Sequence, residues 1–313
     1  MKDELLPLAL SAMYFLSFKE KVILEEKLDN IGNLAVLSID DISFLVGRRI
    51  RSRWWKGEDA ERGAEQSLKL MEIYGIHSLI YRHLDYPALV SEIFDPPYMI
   101  FYRGNIQGIH EPCISVVGTR KPDSQVARAA FDFSCEAAAS GYTLVSGLAF
   151  GIDAAVHKGA LAGAGKTVAV LPCGVDGVVP LSHKRLAASM LERGGCILSE
   201  YLPGVPAEKF RFPQRNRIIS ALSPVTVVAA APANSGALIT AEFALEQGRD
   251  VYLLAAGLAS SSCNEGMEGY RQDGAPVISS IGDYEACFQG VPGAVGRISA
   301  ETRYCRKEKQ LLF

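Results

Sequence analysis

The feature that most constrains this chain is an alternation of short, almost wholly apolar runs with longer helix-like segments. The runs are Ile114–Val117, Thr143–Val145, Val168–Leu171, Ile197–Leu198, Val225–Ala230, Val251–Leu254 and Val277–Ile278. None shows the regular apolar–polar alternation of a half-exposed strand, so each is predicted to be a strand covered on both faces. Helical segments lie between them at Ser124–Ser140, Ala154–Ala164, Lys184–Arg193 and Ala237–Gln247. Gly141, Gly165, Gly194 and Gly248 stand just past these segments, where helices end on a left-handed residue. Strands that alternate with helices predict an α/β fold with a doubly wound, mainly parallel sheet.

The flanking sequence has a different texture. Residues 1–85 carry apolar clusters broken by charges, with Gly32 and Gly47 as punctuation, and predict a small helical domain. A Pro-rich stretch, Asp95-Pro96-Pro97, and an apolar run, Met99–Tyr102, lead into the second domain, 86–290. Residues 291–313 are expected to be a short tail. A chain of 313 residues suits one large domain and one small one.

Composition narrows the function. Net charge is −3, so attraction to phosphate has to come from a local basic patch. The seven cysteines form no CxxC pair, which predicts free thiols in a reducing compartment and no zinc site. The apolar stretch Leu5–Phe18 follows Met-Lys-Asp-Glu, lacks a cleavage site and is too short to span a bilayer. The expectation is a cytoplasmic protein that does not contact membranes.

In an open α/β sheet, ligands bind outside the carboxyl ends of the strands. The first such turn holds Gly118, Thr119 and Arg120, with glycine for close approach and a forked donor for an anion. The competing reading is an ordinary turn with a surface arginine. The second turn holds Ser146 and Gly147 and continues through Phe150 to Asp153. Asp153 and His157 are spaced for an acid–base pair, but an N-cap with a packed histidine explains them better. The third stretch, Lys209 to Arg217, interleaves Lys209, Arg211, Arg215 and Arg217 with Phe210 and Phe212, beside Asn216. Cations for phosphates and aromatic faces for bases are how single strands are gripped without sequence preference. The fourth turn, with Ser235, Gly236 and Thr240, reads equally as an anion-receiving helix start or as a plain cap.

Two motifs are rejected. Gly165-Lys166-Thr167 imitates the end of a P-loop, but Ala160 stands where that loop needs glycine, and helix precedes strand. No strand ends in GxGxxG, which argues against a nicotinamide cofactor. No cofactor, no metal and no catalysis are expected.

Taken in order, these stretches resemble the DNA-processing protein A (DprA/Smf) family from about Tyr86 to Glu285. The likeness is carried by Asp95-Pro96-Pro97 through Arg103-Gly104, Gly118-Thr119-Arg120, Ser146-Gly147-Leu148-Ala149 and Gly151-Ile152-Asp153. It continues in Leu198-Ser199-Glu200-Tyr201, Phe212-Pro213, Arg215–Ile219, Ser235-Gly236 and Leu238–Ala241. The resemblance implies an extended Rossmann-like domain behind a small helical domain of the SAM or helix-hairpin-helix kind. It implies a homodimer that binds single-stranded DNA entering in natural transformation, shields it and helps load the RecA recombinase. It also implies that Arg120, Lys209, Phe212, Arg215 and Arg217 lie in or beside the DNA pocket. Phe150 departs from the family pattern, where arginine is usual, and the final residues are too few for the winged helix of some members. The alternatives are a nucleotide-binding sensor and a nucleoside-monophosphate glycosidic hydrolase. The hydrolase's Pro-Gly-Gly-x-Gly-Thr turn is absent, and a sensor leaves the Lys209–Arg217 stretch unexplained.

Overall fold

The computed structural model describes residues 4–51 and 55–289, so the tail expected at 291–313 lies outside the described residues. Five helices open the chain: α1 (Leu5–Ala12), α2 (Phe18–Lys27), α3 (Ile31–Ala35), α4 (Ile39–Val46) and α5 (Gly57–Tyr74). Their starts follow local chemistry. Ser17 with Glu20 and Ser38 with Asp41 form reciprocal capping boxes at α2 and α4.

Next come β1 (His77–Ile80), the single turn α6 (Ala88–Ser91) and β2 (Met99–Gly104). The alternating region follows as β3 (Cys113–Gly118), α7 (Ser124–Ala139), β4 (Thr143–Ser146), α8 (Ile152–Ala162), β5 (Thr167–Val170), α9 (Lys184–Glu192) and β6 (Cys196–Ser199). It continues with α10 (Arg211–Ala221), β7 (Val225–Ala230), α11 (Gly236–Glu246) and β8 (Asp250–Leu254). The short α12 (Ala255–Ala259) and α13 (Glu268–Gln272), then β9 (Val277–Ile278) and α14 (Ile281–Gln289), complete it.

The strands among the described residues join one nine-stranded sheet in the order β1-β2-β6-β5-β4-β3-β7-β8-β9. The pairs β1–β2 and β2–β6 are antiparallel, and the strands from β6 to β9 run parallel. This is the doubly wound α/β sheet expected from the apolar runs, and β4, β5, β6 and β7 are buried along their whole length. One part of the first 85 residues departs from the helical expectation. β1 pairs with β2, placing His77 opposite Tyr102 with ring centroids 5.4 Å apart. Its polar His77 and Ser78 gave no strand signal.

Helices α7 and α8 cover one face, packing Val126, Phe133, Ile152 and Val156 on Ile114, Val116, Leu144 and Val227. On the other face, Ile218 and Ile219 of α10 and Ala241 and Ala244 of α11 pack on Val117, Val145 and Val228. The N-terminal helices share a core with the β2–β6–β5 side, where Leu10, Leu24 and Leu34 cluster with Phe101, Ile197 and Leu171. Gly141, Gly194 and Gly248 take left-handed conformations just after α7, α9 and α11, as expected. After α8 it is Ala164 that does so, one residue before Gly165. Cys135, Cys173, Cys196, Cys263 and Cys287 are free thiols.

Candidate nucleic-acid interface

Strand order reverses between β3 and β7, which opens a crevice at their carboxyl ends. The turns after β3, β4 and β7 meet there, and α10 binds them together. Gly118 ends β3, and a side chain there would sit 2.5 Å from Ile152 Cγ1, so its glycine serves the packing of α8. Thr119 N donates to Ala230 O at 2.8 Å, and Ile152 N donates to Thr119 O at 3.2 Å. The turns after β3 and β4 are therefore locked back to back.

Arg120 leaves this frame exposed, its guanidinium 5.2 Å from the Phe212 ring centroid. It makes no ion pair among the described residues, and neither do exposed Lys121 and Lys209. A cation stacked on a half-buried ring keeps its donors directed to solvent while the ring fixes its position. Exposed Phe210 and Phe150 add apolar surface near the ends of α10 and β4.

The stretch read as a basic loop is largely the first turns of α10. Pro213 sits in the first turn, where a missing N–H costs nothing because those groups have no helical partner. Folding into a helix withdraws most of the cations. Arg211 is buried against the Tyr14, Tyr201 and Phe210 rings at 5.7, 5.0 and 5.4 Å, and pairs with Glu208 at 3.0 Å. Arg217 clamps Glu200 through both terminal nitrogens, at 2.8 and 2.6 Å, with Asp95 at 3.6 Å. Lys209 alone of the four basic residues stays exposed.

Arg215 is buried, against the expectation of a surface donor. It donates to Gly147 O at 2.8 Å and to Val170 O, joining α10 to the ends of β4 and β5. Burial lowers its pKa to about 10, and Asp153 opposes the shift. Asp153 accepts from Ala149 N at 3.2 Å, and burial pushes its carboxyl upward while Arg215 and the loop amides hold it back. The N-cap of α8 is Gly151, not Asp153. Asp153 instead tethers the preceding turn.

Other expected contacts turn inward. Ser146 donates to Val116 O at 2.7 Å, and Gly147 is enclosed by Arg215 and Asp153. Thr240 is buried inside α11. Ser235 accepts from Ala237 N at 3.3 Å as the N-cap of α11, the capping alternative. Gly236 faces open space, and Asn216 Nδ2 donates to its carbonyl at 3.3 Å. Arg120, Thr119, Phe212, Asn216, Lys209, Ser235 and Gly236 thus retain surface, whereas Ser146, Gly147, Arg215 and Thr240 are structural. Lys121, next to Arg120, was missed in the sequence because nothing marks it apart from other surface lysines.

His157 does not pair with Asp153. Its Nδ1 lies 2.7 Å from Thr167 Oγ1, deep in the core, and burial first, then His183 and Arg215, holds its pKa down to about 3. The folded chain therefore refuses a proton that the unfolded chain accepts below about pH 6.5. Stability contributed by neutral His157 is intact above that pH and is lost as pH falls toward 3, by up to about 1.4 kcal/mol per pH unit. We expect His157→Gln to flatten this part of the acid slope in urea titrations between pH 7 and 4. An unchanged slope in a folded variant would assign the acid sensitivity elsewhere.

Among the described residues no His, Cys, Asp or Glu cluster could hold a metal, and no helix is long and apolar enough to cross a membrane. The family of DNA recombination-mediator protein A matches residues 77–289, beginning at the first residue of β1. The chain belongs to the DprA/Smf family. The DNA processing protein DprA of Streptococcus pneumoniae is 40% identical over 204 residues, 65% of this chain and 71% of that protein. Protein Smf of Borreliella burgdorferi is 32% identical over 272 residues, 87% of this chain and 84% of its relative. The X-ray structure of DprA from Streptococcus pneumoniae superposes with a TM-score of 0.72 at 33% identity, covering 91% of this chain and 98% of that one. The Helicobacter pylori family member, at 24% identity and a TM-score of 0.62, shares the fold over 69% of this chain and 96% of its own. These DprA/Smf matches bear out both the resemblance and the Rossmann-like sheet.

Proposed function

We propose that this chain binds single-stranded DNA with little sequence preference and acts in DNA recombination without catalysis of its own. The observation that carries the reading is Arg120, exposed and unpaired among the described residues, stacked on Phe212 at the switch-point crevice. Lys121 and Lys209 add free charge, and Phe210 adds an exposed aromatic face. Phosphates meet the cations and bases meet the rings, a combination that tolerates any sequence. The solved Helicobacter pylori relative is described by its single-stranded DNA binding mode.

The test is a titration of labelled single- and double-stranded oligonucleotides at several salt concentrations. Affinity for single strands is expected to fall steeply with salt. Arg120→Ala is expected to weaken binding by about 1–3 kcal/mol, the scale of a lost charged hydrogen bond. The salt slope should flatten by roughly 0.7 for the one phosphate no longer neutralised. Its stability should stay within about 0.5 kcal/mol, because the side chain is at the surface. Unaltered affinity in the folded variant, or binding to duplex alone, refutes this reading.

The finer proposal is a cytoplasmic homodimer that shields DNA entering in natural transformation and brings RecA onto it. Two linked copies of a modest basic site gain avidity through effective concentration. Light scattering, followed by RecA strand exchange on DNA coated with single-strand-binding protein, tests it. A strict monomer removes the avidity argument, and a dimer that never accelerates RecA loading refutes the loader role.

A further inference from the structure

Phe150 is 50% exposed on the turn between β4 and α8. Its ring lies 5.0 Å from that of His183, inclined at 69°. His183 is anchored to the same turn, its Nδ1 2.9 Å from Leu148 O; a carbonyl can only accept, so Nδ1 carries the proton. Leu148 is fully buried yet holds a left-handed φ of 58°. A non-glycine residue keeps that conformation only where its surroundings over-determine it. The turn thus buries Leu148 and presents Phe150 to solvent, and Phe150 joins none of the hydrophobic core clusters.

The surroundings are basic and continuous with the Arg120 site. Lys184 and Arg185, directly after His183, are exposed and make no ion pair among the described residues. On the other side, Gly151 follows Phe150 and lies so close to the Thr119–Arg120 backbone that a side chain there would be 2.6 Å from Arg120 C. Phe212 with Arg120, then Phe150 with His183, then Lys184 with Arg185 therefore place rings and cations together on neighbouring turns.

We propose that Phe150 and His183 form a second nucleobase-stacking subsite for an unpaired strand, with Lys184 and Arg185 holding the adjoining phosphates. Phe150 stacks on the base, and His183 braces the Phe150 ring from the protein side. The subsite rests on the single-strand reading of the Arg120 site and extends that site toward α9. It accepts any base, because every base has a π-face.

The experiment is fluorescence anisotropy with oligothymidylates of increasing length, using the full chain and its Phe150→Ala and Phe150→Trp variants. The full chain is expected to gain affinity in two steps as the strand first reaches the Arg120 site and then Phe150. Phe150→Ala should match it on the short strands and lose roughly 5- to 150-fold on the long ones, the range for one lost base stack. Phe150→Trp should restore the second step. Thermal melts check that both variants are folded. Equal affinities of Phe150→Ala and the full chain at every length would overturn the subsite, as would an equal loss on short and long strands. Failure of the full chain to bind any oligothymidylate overturns the single-strand reading itself, a result separate from these two.

Discussion

Arg215→Met is expected to destabilise the protein by about 3–5 kcal/mol, the scale for leaving a buried charge without its compensating neighbour. The variant leaves Gly147 O and Val170 O without their donor and Asp153 without its facing cation. Burial already raises the Asp153 pKa, and loss of Arg215 removes the cation that holds it down. The folded carboxyl then titrates further above its unfolded value near 3.9, so the added penalty is full only above the folded pKa and shrinks as pH falls toward 4. Urea denaturation at pH 7 and pH 5 should therefore show a smaller deficit at the lower pH. Asp153→Asn in the same background should recover part of the loss at pH 7. A single variant that loses less than about 1 kcal/mol would mean that α10 is held by its apolar face and not by this network.

The second large effect is expected at Gly151. Its φ of 75° and ψ of −121° belong to glycine, and a Cβ there would collide with Thr119 O and lie 2.6 Å from Arg120 C. Gly151→Ala costs about 1–3 kcal/mol for the conformation alone. The collision is with backbone, so Thr119 and Arg120 have to move as well. We expect a lower denaturation midpoint together with about a tenfold loss of single-strand affinity, since 1.4 kcal/mol of misplacement at one contact has that effect. Gly236→Ala is the stability control, because open space surrounds that position and its φ is ordinary. Full affinity in a folded Gly151→Ala variant would show that Arg120 does not depend on the turn behind it.

Much of this architecture is written locally in the chain. The runs at 114–117, 168–171 and 225–230 read as strands because both faces of the sheet are covered, which leaves Ser115 and Thr226 as their only polar residues. The cap at Ser235 was one of two equal readings of its turn, because serine before Gly-Ala-Leu states a helix start in a few residues but not what the start binds. The place of Arg120 in the fold was legible for the same reason, at the end of an apolar run and before a helix.

The missed features depend on distant partners. Arg215 looks like a surface cation until Gly147, Val170 and Asp153 close around it from other strands. Arg217 looks free until Glu200 and Asp95 are brought beside it. Lys209–Arg217 read as a loop because its cations and Pro213 outweigh its helical spacing locally. Burying Ile218 and Ile219 on the sheet decides otherwise. β1 carries too little apolar sequence to be seen without β2 as its partner.

The sheet's two margins bear on how a second copy of the chain could attach. One margin is the four-residue β1 and the other is the two-residue β9. Rails this short offer few free backbone groups, which is how soluble proteins discourage strand-by-strand growth. A sheet running on from one protomer into the next would begin from two to four residues of pairing, too little to hold partners together in water. A homodimer of this chain is therefore expected to use surfaces other than the sheet margins. A proline in β9 should leave the association state unchanged.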